Sequence, residues 1–154
     1  MSEFFSHDHL KKLKAAEGHV LKNVVYHNWI NNTQPGERFE FLEKLELDFG
    51  DYNLVITVPE SMEDALTLAD DFDGEKYRLQ LLHEFGGKID LRSDNMNDNV
   101  LWEPSVGKTL RLLGVEHQGD NVYSNHSIML DFGEEKLEIR PGMDGVIVEP
   151  LDEV

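Results

Sequence analysis

Apolar residues recur at every second position in two widely separated stretches of the chain. In the first, Leu45, Leu47 and Phe49 alternate with Lys44, Glu46 and Asp48; in the second, Ile128, Leu130 and Phe132 point one way and Asp131 the other. A period of two predicts strands with one dry and one wet face, the pattern of antiparallel sheet. Gly50-Asp51 and Gly133-Glu134 mark hairpin turns, and Leu54/Ile56 and Leu137/Ile139 begin the return strands. Near the N-terminus, residues 7–17 fit a short helix, with Leu10 and Leu13 on one side, Ser6 placed to cap it and Gly18 to stop it. Residues 60–103 are less regular. Ala65–Leu68 reads as a fourth strand, 75–85 alternates like a strand but has the composition of a helix, and 94–99 reads as loop.

The two alternating stretches are versions of one another. "LELDFGDYNLVI" (45–56) aligns without a gap on "IMLDFGEEKLEI" (128–139), with six identities in twelve positions. Ordinary composition predicts about one. Upstream, Gly18-His-Val-Leu-Lys parallels Gly107-Lys-Thr-Leu-Arg. The chain therefore reads as a duplication within one domain of 154 residues, 18–58 against 107–148, joined by 59–106. The first copy holds about six extra residues, expected in a loop near 31–36. Three strands cannot bury their own apolar face. The expected fold is mainly β, with α+β as the alternative: two antiparallel meanders packed as one sheet, a sandwich or a partly open barrel, preceded by a short helix.

This reading disposes of an apparent nucleotide site. Gly107-Lys108-Thr109 looks like the end of a P-loop, which needs glycine five residues before Gly107 so that backbone N–H groups can wrap phosphate. That position is Trp102, and Pro104 removes a further donor. The segment is instead a turn entering a strand.

Charge narrows the partners. The chain carries 31 acidic and 14 basic residues, for a net charge of −17. Most of the excess falls in 37–103, and such a field repels phosphate backbones, so nucleic acid is not an expected partner. It favours encounter with a basic protein. Glu63, Asp64, Asp70, Asp71, Asp73 and Glu75 place six acids in thirteen residues and form the candidate partner-binding face. The chain has no cysteine, which suits a reducing cytoplasm. The N-terminus lacks a signal-peptide core and no apolar run is long enough to span a bilayer, so a cytoplasmic location without membrane contact is expected.

The residues offer few catalytic or metal patterns. Loops beginning at Asp71 or Asp94 lack the glycine and terminal glutamate of an EF-hand. His7 and His9 diverge on a helix, and His27 and His117 are expected at the surface. Ser105 has half of a nucleophile elbow, with Glu103 where the first glycine belongs. Asp48 and Asp131 recur in both copies and could pair, but each occupies the outward position before a hairpin. Trp29 and Trp102, near the edges of the copies, suit plugs of a β-core or interface anchors. No cofactor, metal or catalytic residue is assigned.

The second copy, from Leu101-Trp102 through Gly107-Lys108 to the "MLDF" strand, resembles small bacterial domains, some of immunity type, over about 40 residues. That resemblance implies stoichiometric binding rather than catalysis. The expectation is thus an acidic protein-binding module, possible catalysis being confined to a rival reading: an enzyme or ligand carrier with a pocket where the copies meet.

Overall fold

The computed structural model describes residues 5–34, 37–59, 65–69, 72–119, 122–142 and 145–151. Helix α1 (His7–Lys14) precedes strands β1 (Asn23–Gln34), β2 (Glu37–Asp48), β3 (Asn53–Thr57) and β4 (Thr67–Leu68). Helix α2 (Gly74–Phe85) and strand β5 (Ile89–Asn95) follow, then β6 (Leu112–Gly119), β7 (Val122–Asp131), β8 (Lys136–Pro141) and β9 (Val146–Pro150). The strands form two antiparallel sheets, ordered β4-β3-β2-β1-β5 and β6-β7-β8-β9. Each half of the chain is thus a four-strand meander, β1–β4 and β6–β9, and the fold is mainly β as the alternation predicts.

The sheets face each other across one core. Leu45, Leu47, Leu54 and Ile56 from the first meet Ile128, Leu130, Leu137 and Ile139 from the second, none more than 2% exposed. Full burial of such side chains stabilises by roughly 1.5–3 kcal/mol each.

The sequence match between the halves has a counterpart in the backbone. Gly18 and Gly107 have φ of 88° and 86°, and Gly50 and Gly133 have φ of 90° and 101°, a region that costs most other residues strain. Asp48 Oδ1 accepts from the Gly50 N–H and Asp131 Oδ1 from the Gly133 N–H, both at 2.8 Å. Each aspartate thus closes its own hairpin turn. The correspondence also reaches upstream of the sequence match. Leu13 and Trp102, each five residues before its glycine, are fully buried, as are Ala16 and Ser105, each two before it.

The two matching segments pair with each other reciprocally. The Gly18 N–H donates to the Leu110 carbonyl and the Gly107 N–H to the Leu21 carbonyl, both at 2.7 Å. Leu21 N–H then reaches Lys108 O and Leu110 N–H reaches His19 O, with Val20 and Thr109 bridged between them. Leu21 and Leu110 are fully buried beneath this ladder.

Several expectations are revised. The six additional residues of the first copy do not make a loop: β1 and β2 are four and two residues longer than β6 and β7, so they lengthen the hairpin arms. Residues 75–85 are helical, because Asp73 caps the first turn and Gly86 adopts the left-handed conformation that ends it. The fourth strand is only Thr67–Leu68, and the strand before the 94–99 loop runs on to Asn95. Helix α1 stops at Lys14, and turns carry the chain from Ala15 to Gly18.

Gly145, the residue before β9, lies directly against Phe41 and Leu42 of β2. A Cβ there would overlap the Leu42 carbonyl oxygen and crowd the Phe41 ring. Gly145→Ala should therefore destabilise by about 1–3 kcal/mol, read as a lower urea midpoint. An unchanged midpoint would contradict the β2–β9 contact.

Candidate functional site on the face covered by α2

Where the halves differ, the first has additions: α2 and β5 have no equivalent in the second meander among the described residues. Strand β5 pairs along the edge of β1, with Trp29 opposite Leu91 and His27 opposite Ser93. Helix α2 packs Leu81 against Ile89 and Leu91, forming with Trp29, Phe72 and Tyr77 a second, smaller apolar cluster. Trp29 and Trp102 therefore play different parts. Trp102 is fully buried in the main core and donates its indole N–H to the Tyr26 hydroxyl at 2.7 Å, whereas Trp29 belongs to the outer cluster.

Three features lie on this face. The first is a cation held on aromatic rings. The β1–β2 register steps past Glu43, and Lys44 Nζ lies 4.9 Å from the Tyr77 ring centroid and 5.3 Å from that of Phe72. Tyr77 donates to Glu43 Oε1 at 2.7 Å and Lys44 contacts the same oxygen at 3.2 Å. The amine is thus satisfied by a carboxylate and two ring faces from within the fold.

The second is a buried histidine, which corrects the surface position expected for His27. The ring is 5% exposed and crossed edge-to-face by Phe72, with centroids 4.9 Å apart. Its Nδ1 lies 2.7 Å from Ser93 Oγ and its Nε2 2.8 Å from Glu46 Oε1. An open groove of about 710 Å³ runs past it, lined also by Gly74, Arg78, Asp90 and Arg92. Arg78 binds Asp90 at 2.9 Å and holds that carboxyl below the usual range through this hydrogen bond. Arg92 bonds Asp94 at 2.7 Å and also pairs with Glu40.

The third is apolar and exposed. Leu79, Leu82 and Phe85, three residues apart along α2, are 60%, 54% and 44% exposed. Neither core cluster includes them.

Of the six acids assigned to partner binding, Asp73 and Glu75 are exposed at the start of α2. Asp73 also serves the helix, its Oδ1 accepting from the N–H groups of Glu75 and Lys76 at 3.1 and 3.2 Å. Glu63, Asp64, Asp70 and Asp71 lie outside the described residues. Ser105 is fully buried, with no hydrogen-bond partner for its hydroxyl among the described residues, so it presents no nucleophile to solvent. His117 is exposed and lies against the Tyr123 ring. Among the described residues no group of three or more His, Asp or Glu side chains converges as a metal site, and no helix is long and apolar enough to cross a membrane. The contact between the copies is filled by Leu13, Leu21, Trp102 and Leu110.

Sequence reasoning missed His27, Ser93 and the leucines of α2. Val25, His27 and Trp29 alternate, which fits a common face. Leu79 and Leu82 emerge as a ridge only once 75–85 is known to be helical.

On the opposite flank, Tyr52 stacks on Phe49, with centroids 5.7 Å apart, and its hydroxyl oxygen is buried without a hydrogen-bond partner among the described residues. Burial pushes its pKa up to about 12. The neutral phenol is the form the fold favours. This stabilisation is therefore complete below the ordinary tyrosine value near 10 and is lost as pH rises from about 10 toward 12. An alkaline absorbance titration should show an ionisation near pH 12 that Tyr52→Phe removes; loss of an ordinary ionisation near 10 instead would contradict the burial.

No family model matches the chain, and no curated protein or solved structure is significantly similar to it.

Proposed function

We propose that this chain is an acidic protein-binding module that engages a basic partner along the exposed side of α2. The observation that carries this reading is the ridge of Leu79, Leu82 and Phe85, which the fold itself leaves uncovered. Large apolar side chains grouped on one surface are the material of an interface centre. Asp73 and Glu75 are exposed at the start of the same helix, so that apolar and acidic groups lie on one element. A net charge of −17 opposes self-association and accelerates encounter with a basic protein. The rhythm of the second copy, which resembles that of immunity-type domains, implies the same stoichiometric role, and a cytoplasmic location accords with the cysteine-free sequence.

The test compares the native chain with a Leu79→Ser/Leu82→Ser double variant as bait in lysate of its own host. Both leucines are more than half exposed, so the variant should keep its melting temperature. The native bait should retain a basic protein at about 50 mM salt and release much of it at about 500 mM, because screening shortens the reach of exposed charge. The variant should bind that protein at least about tenfold more weakly, roughly 1.4 kcal/mol. Equal retention by both baits, or no retention at low salt, would overturn the assignment.

A further inference from the structure

We propose that Ser93 is the nucleophile of an acyl-transfer site on this chain, with His27 as its general base and small non-anionic carboxylic esters as its substrate class. This inference does not depend on the binding role of α2. It rests on an unbroken chain of three side chains from three adjacent strands: Glu46 on β2, His27 on β1 and Ser93 on β5.

The hydrogen-bond chemistry assigns each group its part. An ionised Glu46 can only accept, so the His27 Nε2 facing it carries the proton. In the neutral ring Nδ1 is then the acceptor, and the Ser93 hydroxyl is its donor at 2.7 Å. A hydroxyl bonded to a neutral imidazole, which is itself oriented by a carboxylate, is the arrangement that activates serine toward carbonyl carbon. Glu46 is held in turn by Asn53, whose amide donates to Oε2 at 3.1 Å. Burial of the ring under Phe72 fixes its orientation, while Ser93 itself is exposed.

The surroundings leave room for a substrate. The groove of about 710 Å³ passes both His27 and Ser93. Gly74 forms part of its wall, and a Cβ at that position would lie 3.1 Å from His27 Cε1, so glycine lets the backbone come this close to the ring. Ile30 and Leu91 add apolar lining. Arg78 and Arg92 are the cations beside the groove available to a developing oxyanion. Each is already paired with a carboxylate, and the chain as a whole is strongly acidic, so the site offers little to an anionic substrate.

The proposed reaction balances on these groups. Ser93 Oγ attacks the ester carbonyl carbon as its proton passes to His27 Nδ1. Collapse of the tetrahedral intermediate breaks the bond to the alkoxy oxygen, which leaves as an alcohol carrying that proton. Water then attacks the acyl-Ser93 ester with His27 again as base, releasing a carboxylic acid and restoring the hydroxyl. Ser93 and His27 are the catalytic residues, and Glu46 is a positioning residue.

The experiment treats the full chain with an alkyl fluorophosphonate, which a serine oxygen attacks at phosphorus with loss of fluoride. Intact mass and peptide mapping should show one adduct, on Ser93, and Ser93→Ala should lose it while keeping its melting temperature and its partner binding. Glu46→Ala should slow labelling by about 100-fold, the scale of general-base assistance. Glu46→Gln, which keeps an acceptor oxygen for Nε2–H, should recover part of that loss at equal thermal stability; a purely structural role for Glu46 predicts no such difference. Absence of an adduct, an adduct on another residue that persists in Ser93→Ala, or equal rates in the native chain and Glu46→Ala would overturn the proposal. The Leu79→Ser/Leu82→Ser variant should label like the native chain, so failure of the binding module and failure of this site are separately visible.

Discussion

The fold depends on how Gly18–Lys22 and Gly107–Arg111 pair with each other. Each segment leaves a positive-φ glycine, gives the other its first N–H, and buries a leucine against the same core. Without that ladder each meander would be a half-wet sheet with no partner for its apolar face. The interlock then extends one strand further by crosswise side-chain contacts. The Val24 N–H donates to Asn97 Oδ1 and the Leu113 N–H to Glu17 Oε2, both at 2.9 Å. The carbonyls of the same two residues accept from the Met96 N–H and from Lys14 Nζ. In each case the segment preceding one copy satisfies the first strand of the other. Different chemistry does the same work at matched positions, because a buried backbone group must find a partner but any suitable donor or acceptor suffices.

Against this near-symmetry, α2 and β5 stand out. Strand β5 occupies the edge of β1, and α2 rests on it through one buried leucine, Leu81, and the half-buried Tyr77. Packing therefore explains one side of the helix and leaves Leu79, Leu82 and Phe85 exposed among its polar residues. The same addition brings Ser93 to His27 and Phe72 over the ring. The features that invite a functional reading thus sit where α2 and β5 cover β1 and β2, while the matching glycines, aspartates and leucines of the two halves are occupied with turns, core and mutual contact. Asp48 and Asp131 illustrate the latter: their recurrence reflects a shared turn that needs a carboxylate acceptor.

Much of the architecture was legible because it rests on period and on turn chemistry. The alternation around Leu45 and Ile128, the paired Asp-Phe-Gly turns and the helix ended near Gly18 are local signals, and the sheets follow them. The short fourth strand and the identity of 75–85 were not legible in the same way. Tyr77, Leu79 and Leu81 satisfy a period of two, and what decides for helix is the Asp73 cap and the left-handed Gly86. His27 was misplaced for a related reason: its burial comes from Phe72 and Gly74, residues some 45 positions away that no pattern along β1 could announce. The equivalence of Leu13 with Trp102 leaves no trace in the sequence match because it preserves burial and position, not residue type or size.

The reciprocal ladder is tested most directly by amide hydrogen exchange followed residue by residue. If both sheets depend on it, the N–H groups of Gly18, Leu21, Gly107 and Leu110 should exchange as slowly as those at the centres of β2 and β7, opening only with global unfolding. Exchange of these four amides orders of magnitude faster than the strand centres, with the sheets still protected, would show that the two halves stand without the contact and would contradict the account.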